Sequence, residues 1–110
     1  MKLLYILLIS ILYITPVKAD DMSCLAEAVY FEARSEPFIA QLAVANVVLE
    51  RVYSERYPDN VCDVVHQARK WKGKPIRNKC QFSYWCDGKP ETIANVDAYN
   101  QAVTASELAF

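Results

Sequence analysis

The sequence predicts a small, mainly α-helical domain with a short extended segment near residues 80–88. Three observations carry that expectation. Apolar residues recur at helical spacing in three stretches, around 22–34, 37–53 and 91–110. Phe82 and Tyr84 alternate with polar Gln81 and Ser83 and run into an Asp87-Gly88 turn. The 110-residue chain has only two glycines, no internal repeat and no low-complexity linker, so it holds one small core.

The N-terminus is set apart from that domain. Lys2 is followed by an apolar run from Leu3 to Thr15 and by Val17-Lys18-Ala19. A positive start, an apolar stretch and small residues before a cut are the layout of a secretory signal peptide. The run is shorter than the ~20 apolar residues of a spanning helix. The expectation is a signal peptide over 1–19, cleavage after Ala19, a folded domain over 20–110 and a secreted or periplasmic location with no membrane span.

The first helix is expected over Met22–Arg34, with Leu25, Ala28, Val29 and Glu32 at helical spacing and Asp20, Asp21 or Ser23 as its cap. Ser35-Glu36-Pro37 then interrupts, because proline disfavours helix in the residue before it and suits the first turn of a new one. Ser35 is the expected N-cap of a second helix from about Pro37 to Tyr53. Its expected apolar face is Ala40, Ala43, Val44, Val47, Val48 and Val52. Tyr57-Pro58-Asp59-Asn60 stops it, and Val61–Gln67 reads as a short third helix capped by Asn60 or Asp59. Arg69–Lys79, rich in lysine and arginine, reads as an exposed loop. A last helical pattern runs from Glu91 to Phe110, where the chain ends without a stop signal and reads as truncated at its C-terminal end.

Beyond the leader the chain carries ten Lys and Arg against thirteen Asp and Glu. That mildly acidic balance gives no reason to expect nucleic acid as a partner. Four cysteines, Cys24, Cys62, Cys80 and Cys86, make an even set, which in an exported chain reads as two disulfides. Three connectivities are open; short closure favours Cys80 with Cys86, leaving Cys24 with Cys62. A zinc site is the weaker reading, since no close Cys-x-x-Cys pair occurs and His66 is the one histidine. No metal and no cofactor are expected, and the chain is expected to be a monomer.

Glu32 is the first candidate for chemistry. It sits among aromatic and aliphatic neighbours, where burial disfavours the charged form of a carboxyl. A carboxyl that keeps its proton near neutral pH can act as a general acid. The competing reading is a surface acid paired with Arg34. Glu36 is expected in the first turn of the second helix, and Glu27 is expected to point elsewhere, solvated or ion-paired. Gln81, Phe82, Ser83, Tyr84 and Asp87 are the candidate substrate-binding residues, because aromatic faces beside polar groups suit sugar rings. Against this stand a core role for one of the aromatics and a turn role for Asp87. Cys62 and His66 have the spacing of a nucleophile and base, but a disulfide would consume the thiol and leave His66 as a helix-end residue.

Two blocks, Ala28-Val29-Tyr30-Phe31-Glu32-Ala33-Arg34-Ser35-Glu36-Pro37 and Gln41–Val52, resemble the SleB-type cell wall hydrolases, which include the spore cortex-lytic enzymes. Tyr57–Val65 and Cys80-Gln81-Phe82-Ser83-Tyr84-Trp85-Cys86-Asp87-Gly88 resemble the later blocks of that family in the same order. The resemblance implies peptidoglycan as substrate and a small lysozyme-like (α+β) fold. It implies Glu32 as the catalytic acid/base of a lytic transglycosylase cutting between N-acetylmuramic acid and N-acetylglucosamine. The family usually has glycine where Ser35 stands and asparagine where Glu50 stands; serine argues against a left-handed turn there. Two other readings remain open: an inactive, disulfide-bonded wall-binding module, and an N-acetylmuramoyl-L-alanine amidase.

Overall fold

The computed structural model describes residues 19–110, so the expected signal peptide lies, but for Ala19, outside the described residues. Helix α1 spans Ala19–Ala33, α2 Phe38–Val52, α3 Val61–Val65 and α4 Val96–Ala109. Between α3 and α4 come two antiparallel strands, β1 (Ala68–Trp71) and β2 (Lys74–Cys80), and a 3-10 turn over Ser83–Cys86. The protein is thus mainly helical, as its apolar spacing predicts, with one small sheet that lies before the expected extended segment at 80–88. Among the described residues no helix is long and apolar enough to cross a membrane.

Helix α1 is the central element, packed against α2, α3 and α4. Its Leu25, Ala28 and Val29 meet Ala45 and Val48 of α2, Val61, Val64 and Val65 around α3, and Ala102 and Ala105 of α4. Small residues set the spacing: alanines at 102 and 105 and a buried Ser106 let α4 approach closely, and the Ser106 hydroxyl donates to the Ala102 carbonyl at 2.8 Å. That internal bond removes the cost of burying a free hydroxyl. Asn60 caps α3 by accepting from the Asp63 amide at 2.9 Å, as expected, and Asn95 does the same for α4 from Ala98 at 3.0 Å.

The corner between α1 and α2 is built differently from the expectation. The Glu36 amide donates to Ala33 at 3.0 Å, which closes a turn after α1. Pro37, with ψ 153°, is itself the N-cap of α2, and its carbonyl accepts from Ala40 and Gln41. Ser35 therefore caps nothing, and Glu36 lies before the helix rather than in its first turn. Ser35 keeps a backbone without positive φ, so the corner needs no glycine there. Buried Gln41 stitches the corner shut, its amide donating to the Glu36 carbonyl at 3.2 Å and to Gln101 of α4 at 3.4 Å.

The basic stretch after α3 forms a hairpin, not a loop. Lys72 and Gly73 take φ values of +51° and +79°, the left-handed pair that a tight two-residue hairpin turn requires. The extended chain therefore ends at Cys80, earlier than expected, and the 83–86 segment coils. Two disulfides hold these parts, with the expected pairing. Cys24–Cys62 ties α1 to α3 with its Cα atoms 5.2 Å apart, and Cys80–Cys86 joins the end of β2 to the 3-10 turn at 6.0 Å.

Candidate active site

Glu32 occupies the last turn of α1, one residue before the helix ends. It lines a depression of about 210 Å³ with Ala43, Val44 and Val47 of α2 and with Phe82. Glu32 is the one polar side chain of this lining. It remains open to solvent on one side, yet the apolar surroundings push its carboxyl above the ordinary carboxylate value by desolvation. Among the described residues no cation pairs with it. Arg34 is turned away: its guanidinium donates to the Tyr30 hydroxyl at 3.1 Å and lies 5.2 Å from that ring's centre. The ion-paired reading of Glu32 is thereby replaced.

The α2 face divides its work. Gln41, Ala45 and Val48 are buried, while Val47 is 43% exposed and walls the depression. An apolar side chain left at the surface beside a carboxyl keeps water from surrounding that carboxyl. Beneath the site runs a row of rings. Phe31 stacks on Tyr84 with centroids 4.8 Å apart and meets Tyr30 edge-on at 4.9 Å. Tyr30 is fully buried, and its oxygen accepts from the Asn95 amide at 3.1 Å, which links α1 to the start of α4. That bond and the Arg34 guanidinium hold its hydroxyl pKa below the ordinary value.

The structure separates the five expected substrate-binding residues. Phe82 alone joins Glu32 in the depression. Tyr84 lies behind it, buried, its hydroxyl donating to Glu27 at 2.9 Å. Burial first, then the Glu27 carboxylate, drive the Tyr84 hydroxyl pKa far upward, so it stays a donor. Coiling of 83–86 turns both Phe82 and Tyr84 inward, so neither is the exposed aromatic that strand alternation suggested. Ser83 is exposed, Gln81 lines a separate pocket at the base of the hairpin, and Asp87 Oδ1 accepts from the Lys89 amide at 2.8 Å as a turn residue.

A second cluster sits five residues back along α1. Glu27 Oε1 takes the Tyr84 bond and also faces His66 Nε2 at 3.2 Å. The His66 ring stacks on Trp85 with centroids 3.6 Å apart. Glu27 is thus paired and His66 caps the end of α3, as expected, but their meeting across 39 positions had no local signal in the sequence. Among the described residues no three His, Cys, Asp or Glu side chains converge as a metal site.

A lone, partly desolvated carboxyl at the edge of an apolar depression is the equipment of a general acid. The profile of the Cell Wall Hydrolase family matches residues 35–109, beginning three positions beyond Glu32. The chain belongs to that family. It is 48% identical over 48 residues to a spore cortex-lytic enzyme of Halalkalibacterium halodurans, covering 44% of this chain and 14% of that one. Similar proteins include the spore cortex-lytic enzymes of Oceanobacillus iheyensis, 46% identical over 50 residues (46% and 18% covered), and Bacillus subtilis, 44% over 48 (44% and 16%). The matched stretch is less than a fifth of the length of these relatives. No solved structure matches the chain.

Proposed function

We propose that the chain is an exported enzyme that cuts the glycan strand of peptidoglycan between N-acetylmuramic acid and N-acetylglucosamine, as a lytic transglycosylase with Glu32 as its single acid/base. The observation that carries this reading is the Glu32 carboxyl, without a cation partner among the described residues and raised in pKa by desolvation beside Ala43, Val44, Val47 and Phe82. Membership of the Cell Wall Hydrolase family supports the substrate.

In this mechanism protonated Glu32 gives its proton to the glycosidic oxygen as the C1–O bond breaks. The resulting carboxylate takes the proton of the muramoyl 6-hydroxyl as that oxygen bonds to C1. The products are a 1,6-anhydromuramoyl end and a free N-acetylglucosamine hydroxyl. No water and no second carboxylate enter, unlike hydrolysis by a carboxyl pair. Asp87, held in its turn by Lys89, is not needed.

The test is digestion of purified peptidoglycan with the parent chain and with Glu32→Gln, followed by fragment masses. Anhydromuramoyl ends that vanish in the variant are expected. Reducing ends would replace the mechanism with hydrolysis, free stem peptides would make the protein an amidase, and binding without release would leave a wall-binding module.

A further inference from the structure

The charge of the molecule is segregated. Within 68–80 lie six of the ten cations beyond the leader and no carboxylate, while the other four cations share the rest of the domain with all thirteen acids. The six are Arg69, Lys70, Lys72, Lys74, Arg77 and Lys79, every one exposed on the β1–β2 hairpin. An arm this basic on an acidic body cannot be explained by folding, since like charges crowded on two short strands repel.

The arm has a shaped site at its base. The pairing slips between Ala68 and Lys70, with Ala68 opposite Cys80 but Lys70 opposite Pro75, and Asn78 takes φ +62° in the surplus chain. The irregularity accompanies a pocket of about 300 Å³ lined by Arg69, Lys79, Gln67 and Gln81, with Ala68 and Cys80. Two cations and two amides around one pocket are a carboxylate-binding set, because guanidinium and amide N–H groups donate to both oxygens. At the tip, Trp71 is 70% exposed with the Lys72 ammonium 5.9 Å from its ring centre.

The base of the arm is fixed to the active-site side. Cys80 is bonded to Cys86, and the Arg77 guanidinium lies against Gly88, where a Cβ would approach its Nε to 2.9 Å. Phe82, two residues past Cys80, reaches the Glu32 depression. We propose that the hairpin is a second binding site, which grips the free carboxylates of the peptide side chains of the wall polymer in the Arg69–Lys79 pocket while the glycan lies across Glu32. The inference rests on peptidoglycan being the substrate. A glycan carrying an acidic peptide at regular intervals matches an apolar cleft with a cationic arm beside it, better than a lipid surface matches an arm whose exposed large apolar side chains are Trp71 and Ile76 among six cations.

The experiment measures co-sedimentation of the Glu32→Gln protein with purified sacculi, native and with their carboxylates amidated. Arg69→Gln/Lys79→Gln added to that protein should weaken binding about tenfold, the scale of two lost exposed charge contacts. Amidation should weaken the parent equally and leave the hairpin variant unchanged, while Arg69→Lys/Lys79→Arg should retain binding. Equal binding of parent and hairpin variant, or indifference to amidation, overturns the inference. So does loss confined to vesicles of anionic phospholipid, which would make the arm a membrane contact. Fragment release by the unmodified chain is read separately, so a protein that cleaves with a dispensable hairpin refutes the arm alone, and one that binds through the hairpin without cleaving refutes the enzyme alone.

Discussion

The two glutamates of helix α1 are held in opposite conditions, Glu27 at mid-helix and Glu32 in the last turn. Glu27 is clamped. Cys24, three residues earlier, is bonded to Cys62, and Glu27 itself holds Tyr84 and His66 at 2.9 and 3.2 Å. The Glu32 end is open. It meets the broken corner at Ser35-Glu36-Pro37, faces apolar side chains and has no cation partner among the described residues. The same kind of side chain therefore does structural work at mid-helix and is left with a raised pKa in the last turn. A carboxyl is left partly desolvated here through the partners it lacks.

Substitutions at each site should separate the two roles. The largest effect is expected for Glu32→Gln, which should lower glycan cleavage by about 10²–10⁴-fold, the usual worth of a positioned proton donor. Its stability should move the other way. Glu32 has a folded pKa above its unfolded one, so the folded protein binds the extra proton and stability falls as pH rises through that window. Glu32→Gln should therefore be more stable than the parent above the window and equal to it below, as thermal unfolding against pH will read. Loss of Cys24–Cys62, by Cys24→Ser/Cys62→Ser, should cost about 2–5 kcal/mol in unfolding measured with denaturant. Tyr84→Phe strips Glu27 of one donor and should cost about 1–3 kcal/mol, with cleavage by the folded fraction retained. The smallest change is expected from Val47→Ser. It brings water to Glu32, so the pH at which cleavage is lost, as the carboxyl deprotonates, should shift downward with little change in stability.

The two sites also differ in how legible they were. The raised pKa of Glu32 agrees with the expectation drawn from its apolar sequence neighbours, but the side chains that line its depression, Ala43, Val44, Val47 and Phe82, come from α2 and from fifty residues further on. The helices followed from apolar spacing, but the buried face of α2 did not: of the expected Ala40, Ala43, Val44, Val47, Val48 and Val52 only Val48 is buried, beside Gln41 and Ala45, because Ala43 and Val47 face the depression. The hairpin was not readable: β1 and β2 bury almost nothing, so no alternation marks them, and their turn uses Lys72-Gly73 rather than asparagine or aspartate before glycine. The 83–86 segment misled because alternating polar and aromatic residues also suit a 3-10 turn, where Tyr84 and Cys86 are buried together. The Glu27–His66 contact joins distant elements that only packing and the Cys24–Cys62 bond bring side by side.

The most direct test of this division is fragment release from purified peptidoglycan by Glu27→Gln and Glu32→Gln, each scaled to its folded fraction from thermal unfolding. The account predicts that Glu32→Gln is fully folded and releases almost nothing, whereas Glu27→Gln unfolds more readily but cleaves when folded. A folded, inactive Glu27→Gln beside an active Glu32→Gln would contradict it and move the acid to the clamped glutamate at mid-helix.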